Sequence, residues 1–303
     1  MELLNFSVIP IFFLILLGYF FKKISFPSND FWPLADKLTY FLLMPALLII
    51  SLKDANLALL DINLILSLVL PICVIAIFLI ILNKIIPTSN GSFTSIMQGA
   101  TRFNTYIFLA LCGSLYGNFG LEIASLLMSF VIIFLNVLNI TFYLIYQDSS
   151  KINIRYFFES IFKNPLIIAC ILGIFINIFK IPIPIFLNKS MQILSSAALV
   201  FGILSIGFAL VLNDFKSSLK DIFNSSFAKF ILFPALTLFF CKILNIDEKI
   251  IPILILFSIM PTATSAFILA RQLGGNYKLM GAIITIQTLI SMSIIMIFQE
   301  IYF

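Results

Sequence analysis

Two stretches decide the fold: Gln98-Gly99-Ala100-Thr101-Arg102-Phe103-Asn104-Thr105-Tyr106 and Ser258-Ile259-Met260-Pro261-Thr262-Ala263-Thr264-Ser265. Each is a polar island inside an apolar run long enough to cross a bilayer. Polar groups at the centre of a membrane helix are costly unless they face protein, water or a ligand. Pro261 has no N–H and clashes with the preceding turn, so it kinks or breaks a helix. It also suits the start of a new half-helix, with the Thr262 and Thr264 hydroxyls beside it. Such a half-helix aims free N–H groups and a positive dipole end at the membrane interior. A break of the other stretch at Asn104-Thr105 sets a second such end against the first. Around Pro261, amide and hydroxyl donors from Asn104, Thr105, Thr262, Thr264 and Ser265 then suit a small anion, above all a carboxylate. A proline that only kinks, and hydroxyls that bond back to the preceding turn, are the blander alternatives.

Arg102 lies about ten residues into its run, too deep to snorkel to either face. It neutralises an acidic substrate, or it pairs with Asp36 or a backbone carbonyl; the residues leave both open. Arg271, near the end of its run, reaches the membrane surface. Gln98 and Gln272 are expected as polar lining. No Asp or Glu falls in the middle of an apolar run, so a proton relay lacks an evident carrier. Asp36 comes nearest, in competition with a role as an interfacial helix cap.

The rest of the chain sets these islands in lipid. Of 303 residues, 62% are hydrophobic and 10% charged, with a mean hydropathy of +1.17. Soluble domains run at about 45–50% apolar and about 25% charged. So few charges cannot cover a globule, and lipid must cover it instead. The absence of histidine removes most general-base triads and every His-containing metal site. No Gly-rich Lys-Ser/Thr phosphate loop is present, which excludes an ATP-driven pump acting alone. Cys73, Cys112, Cys170 and Cys241 are scattered through apolar runs and read as small buried hydrophobes. No cofactor or metal is expected. The net charge of +5 is spread over short loops, which fits orientation in a membrane rather than nucleic acid.

A crossing helix needs roughly 20 apolar residues. Ten runs qualify, at 6–21, 33–52, 62–82, 92–116, 121–146, 158–179, 191–212, 228–243, 250–273 and 279–301. They are too long and too continuous for barrel strands. Glu2 and Lys22-Lys23 stand where a cleavable signal peptide would have a basic start and a small-residue cleavage site. Loops on the face holding the first loop carry ten basic residues, among them Lys151, Arg155, Lys216 and Lys229, against five on the other face. That bias puts both termini on the non-cytoplasmic side.

Two sets of residues repeat. Pro10, Gly18 and Pro27 recur 155 residues later as Pro165, Gly173 and Pro182. Leu115, Gly117 and Asn118 recur 158 residues later as Leu273, Gly275 and Asn276. At that offset Asn104 falls on Thr262. The chain therefore reads as one five-span repeat over 1–147, a short cytoplasmic connection at 148–157, and a second repeat over 158–303. Five is odd, so the copies insert in opposite senses, as in secondary transporters with a midplane site at the repeat interface.

At these residues the chain resembles a bacterial member of the auxin efflux carrier family, which includes malate and malonate permeases. The likeness runs over nearly the whole length. It is carried by Arg102-Phe103-Asn104-Thr105-Tyr106-Ile107 with Leu115-Tyr116-Gly117, by Asn164-Pro165-Leu166-Ile167-Ile168, and by Met260-Pro261-Thr262-Ala263-Thr264-Ser265-Ala266 with Gln272-Leu273-Gly274-Gly275. The resemblance implies an all-α membrane fold of ten helices in two inverted repeats, related to bile acid/sodium symporters, with helices four and nine broken and crossing. It implies Asn104 and Pro261-Thr262 at the crossing, a small organic-acid substrate, a bacterial inner-membrane location and homodimers among relatives. Coupling to H+ or Na+ stays open. Two departures stand out. Many relatives have a proline in span seven where this chain has Val200. Many also break span four with glycine and proline, where this chain has Tyr106, Leu109 and Leu111, with Gly113 the nearest flexible point.

The expected function is a secondary active transporter of a small organic anion, not an enzyme. A passive anion channel is the alternative, but a channel wants a continuously lined pore, and polarity here is concentrated at one depth. An intramembrane hydrolase lacks a base.

Overall fold

The computed structural model describes residues 2–59, 61–147, 163–211 and 219–302. Among the described residues every regular element is helical. The helices are α1 (Glu2–Lys23), α2 (Phe31–Lys53), α3 (Ile62–Ile85), α4 (Asn90–Thr101) and α5 (Thr105–Tyr146). They continue with α6 (Pro165–Ile178), α7 (Ile185–Ala209), α8 (Leu219–Ile243), α9 (Ile251–Ser258), α10 (Ser265–Gln272) and α11 (Tyr277–Tyr302). Among the described residues, six stretches are long and apolar enough to cross a membrane: α2, α3, Asn90–Tyr146, α7, α8 and α11. The expected connection at 148–157 lies outside the described residues, as do Lys151, Arg155 and Lys216.

Proline explains two irregular helices. Pro45 and Pro234 offer no N–H to the preceding turn. Just before each, the helix widens into a π-turn, Thr39–Leu43 in α2 and Ala228–Leu232 in α8. The Met44 N–H reaches the Thr39 carbonyl and the Phe233 N–H reaches that of Ala228, each five residues back. In α5 the bend is at Gly117, whose φ of 59° and ψ of −142° suit a residue without a Cβ. Expected runs four and five therefore meet at a glycine corner within one element.

The chain divides into two compact units, each drawing on both ends of the sequence. The first comprises Met1–Leu60, Tyr106–Ile132 and Glu159–Ala209. Within it α1 lies directly on α7: a methyl at Gly18 would sit 2.1 Å from the Leu204 carbonyl oxygen, and one at Gly207 would sit 1.9 Å from that of Ile15. Likewise α6 lies on α2, where a methyl at Gly173 would come within 2.8 Å of the Leu52 side chain. Asn177 ties the same pair, its amide donating to the Leu52 and Ala55 carbonyls at 2.9 and 2.8 Å.

The second unit comprises Asp61–Thr105, Ile133–Phe158 and Leu210–Phe303. At its heart is α4, in which every residue from Ser92 to Thr101 is buried. Protein surrounds it on all sides, which is why its polar residues need not face lipid. Helices α8 and α11 pack against it, and Gly99 allows the approach: a Cβ there would lie 2.2 Å from the Ser225 hydroxyl.

Expected run eight began at residue 228, but α8 starts nine residues earlier at Leu219. Lys229 is consequently not a loop residue. It is fully buried inside the helix, and the orientation count for its face falls from ten to nine.

Candidate functional site

Both polar islands interrupt their helices, and both interruptions lie in the second unit. Helix α4 ends at Thr101. The Arg102 N–H still reaches the Gln98 carbonyl at 2.8 Å, but its ψ of 154° turns the chain out of the helix. Phe103 packs on the Phe257 ring, centroids 4.3 Å apart. The Asn104 N–H donates to the Pro261 carbonyl at 2.7 Å, and α5 begins at the next residue. Neither glycine nor proline makes this break, and Gly113 lies inside the helix that follows.

The second interruption follows Ser258. The N–H groups of Ile259 and Met260 close the end of α9 on the carbonyls of Ile255 and Phe257, at 3.1 and 3.2 Å. Thr262 then clamps the two islands together. Its hydroxyl donates to the Gly99 carbonyl at 2.7 Å, and its N–H donates to the Gln287 Oε1 at 3.1 Å. The Gln287 amide donates in turn to the Gly99 carbonyl at 3.0 Å and to the Ser225 hydroxyl at 3.4 Å. Thr262 and Gln287 are wholly buried. Each such bond contributes about 0.5–1.5 kcal/mol net, and an orphaned partner would cost about 1–3 kcal/mol.

This geometry corrects the expectation that Asn104 and Thr262 offer unpaired N–H groups. Both N–H groups are spent within the protein, and the two residues are 1% and 0% exposed. The donors left over lie one step later. Among the described residues no acceptor meets the N–H of Ala263, Thr264 or Ser265. Ala263 and Thr264 are half-buried and Ser265 is exposed. These groups head α10, whose first internal bonds run from Ala266 to Ala263 and from Phe267 to Thr264, at 3.0 and 3.1 Å. Thr105, which starts α5, is likewise half-buried rather than sealed.

Arg102 is held by neutral groups. Its guanidinium donates to the Gln98 Oε1 at 3.1 Å and the Asn136 Oδ1 at 2.9 Å. Gln98 passes the tie on, its amide donating to the Tyr143 hydroxyl at 2.7 Å. Gln98 is thus a buried strut rather than an accessible lining residue. The Arg102 carbonyl accepts from the Lys229 ammonium at 3.0 Å. Asp36 lies in the first unit, 3.5 Å from the Tyr106 hydroxyl that donates to it. Gln272 is exposed at the far end of α10, away from the break. Arg271 beside it is exposed too.

The residues that sequence reasoning missed are Gln287, Asn136 and Lys229. Gln287 and Asn136 each interrupt an apolar run, in Ile286-Gln287-Thr288 and Leu135-Asn136-Val137. The rule that mid-membrane polar residues need partners would have found them.

Comparison with known proteins gives the family. The model of the membrane transport protein family, that of the auxin efflux carriers, matches residues 149–299. The chain belongs to that family. The match takes in Lys229, the whole second interruption and Gln287. The membrane transport protein family is one of transporters, not of enzymes. With its apolar helices, this member is an integral, multi-pass membrane protein. No curated protein matches the chain.

Proposed function

We propose that the chain is a secondary transporter that carries a small organic anion across the plasma (inner) membrane by alternating access. The cargo is a mono- or dicarboxylate or an auxin-like acid. One observation carries the reading: two interrupted helices are joined by the Asn104–Pro261 hydrogen bond, beside the uncommitted N–H groups of Ala263, Thr264 and Ser265. A helix start with free N–H groups is an anion site by its dipole and its donors together. In this reading Thr105, Thr264 and Ser265 hold the carboxylate and Arg102 adds positive field. Asn104, Pro261 and Thr262 shape the backbone around it.

The reading extends to ten spans in two inverted five-span copies, 1–147 and 158–303, with both termini on the non-cytoplasmic side. What supports it is reciprocal packing. Gly18 seats the first helix of one copy on α7, and Gly173, its mate 155 residues on, seats the first helix of the other copy on α2. Two inverted copies of one fold have two forms of similar energy, which is what alternating access requires.

The test has two stages. A melting screen of the purified protein against carboxylic acids identifies a ligand by the stabilisation it confers. Proteoliposomes loaded with that acid are then expected to show saturable, counterflow-competent uptake of its labelled form. Flux that neither saturates nor responds to counterflow would mark a channel. No stabilisation by any carboxylate would remove the assigned cargo class.

A further inference from the structure

Among the described residues, Lys229 is the one buried cation that the transport reading leaves unused. It projects from the π-turn Ala228–Leu232 of α8, is wholly buried, and lies 4.8 Å above the Phe233 ring centroid. Its ammonium donates to the carbonyl of Arg102, the residue that caps the broken end of α4. The C-terminal end of a helix carries roughly half a negative charge on carbonyls with no helical partner. In secondary transporters such half-helix ends, with their unwound carbonyls, are where a coupling Na+ is coordinated. Another carbonyl exposed by this break, that of Gly99, is covered by the Thr262 hydroxyl and the Gln287 amide.

We propose that Lys229 is a built-in cation, a positioning residue whose ammonium fills the place at the end of α4 that a coupling Na+ would otherwise fill. The inference rests on the carrier reading above and deepens it: the break is held closed without Na+, and the protein works independently of that ion. Together Arg102 and Lys229 set two basic groups at the break, whose positive charge a carboxylate at the start of α10 balances in part.

The first measurement needs no substrate. Purified protein is melted in sodium chloride and in N-methyl-D-glucamine chloride at equal ionic strength, and the two melting temperatures are expected to coincide. Lys229→Met keeps the length and loses the charge, orphaning the Arg102 carbonyl, and is expected to melt on the order of 2–10 °C lower. Lys229→Ala is expected to recover in methylammonium chloride, whose cation has the charge and the donors, and not in tetramethylammonium chloride, which has no N–H. A residue that only fills space would show neither the loss in Lys229→Met nor the selective rescue. Stabilisation of the wild type by Na+ in particular, or a Lys229→Met variant that melts with the wild type, would overturn the proposal. If neither variant folds, the sodium comparison on the wild type still decides. Wild type that passes these melting tests but shows no counterflow with any carboxylate would sink the carrier reading and leave the Lys229 assignment standing.

Discussion

The two helix interruptions do opposite jobs. At 102–104 the chain leaves the helix for only three residues, and everything there is gripped: the Arg102 guanidinium by two amides, its carbonyl by Lys229, and the Asn104 N–H by Pro261. At 259–264 the gap is longer, and only its first half is gripped, through Pro261 and Thr262. From Ala263 to Ser265 the N–H groups have no acceptor among the described residues, and the surface opens. The first break is a clamp and the second is a mouth. A polar residue at membrane depth is therefore not evidence of a ligand contact in itself. Most of the polarity here satisfies backbone groups that the breaks expose.

That contrast can be attacked at several points. The largest effect is expected from Gly99→Val, which drives atoms into Ser225 and Ile283 at the centre of the clamp. Overpacking costs about 1–3 kcal/mol or more, and the variant should be recovered in low yield with a broadened melting transition. A well-folded Gly99→Val protein would show that α4 is not held as tightly as its contacts imply. Thr262→Val comes next. It removes the hydroxyl bond to the Gly99 carbonyl, which keeps the Gln287 amide, so a loss of about 1 kcal/mol and a melting temperature lower by about 2–4 °C are expected.

Ser265→Ala tests the mouth. Being exposed, it should change stability by no more than about 0.5 kcal/mol. Loss of one hydroxyl contact to a carboxylate should weaken binding about tenfold, equivalent to about 1.4 kcal/mol. If it destabilised the protein as much as Thr262→Val, the division into clamp and mouth would fail. Pro261→Ala is the mildest in stability, since the carbonyl that accepts from Asn104 is kept. Its effect should fall on exchange rate, by letting α9 extend by a residue or two toward the mouth. Unaltered counterflow would mean that the hydrogen bonds of Thr262, rather than the ring of Pro261, define the gap.

Part of this was legible in the residues. Pro261 announces its break because proline cannot donate to the preceding turn, whatever surrounds it. The break at 102–104 carries no such covalent signal: the polar island and the resemblance placed it at Asn104, while the stretch where many relatives have glycine and proline, around Tyr106 to Gly113, stays helical. Its position depends on acceptors and donors far off in the sequence, at Pro261, Asn136 and Lys229. Lys229 itself was misplaced for a related reason. Hydropathy ends a membrane span at a charge, but the carbonyl of Arg102 and the Phe233 ring give that charge a place inside α8. Gly117 was matched to Gly275, whereas the positive φ belongs to Gly274, one residue earlier.

The amino-acid sequence alone determined that this protein lives in lipid, that it is helical, and that the apolar run at 250–273 breaks beside a proline. Those follow from composition and from covalent constraints on single residues, which act locally. Only the tertiary structure decided which donors are spent and which remain. A backbone N–H is available to a ligand just when no carbonyl or amide from a distant segment has reached it first.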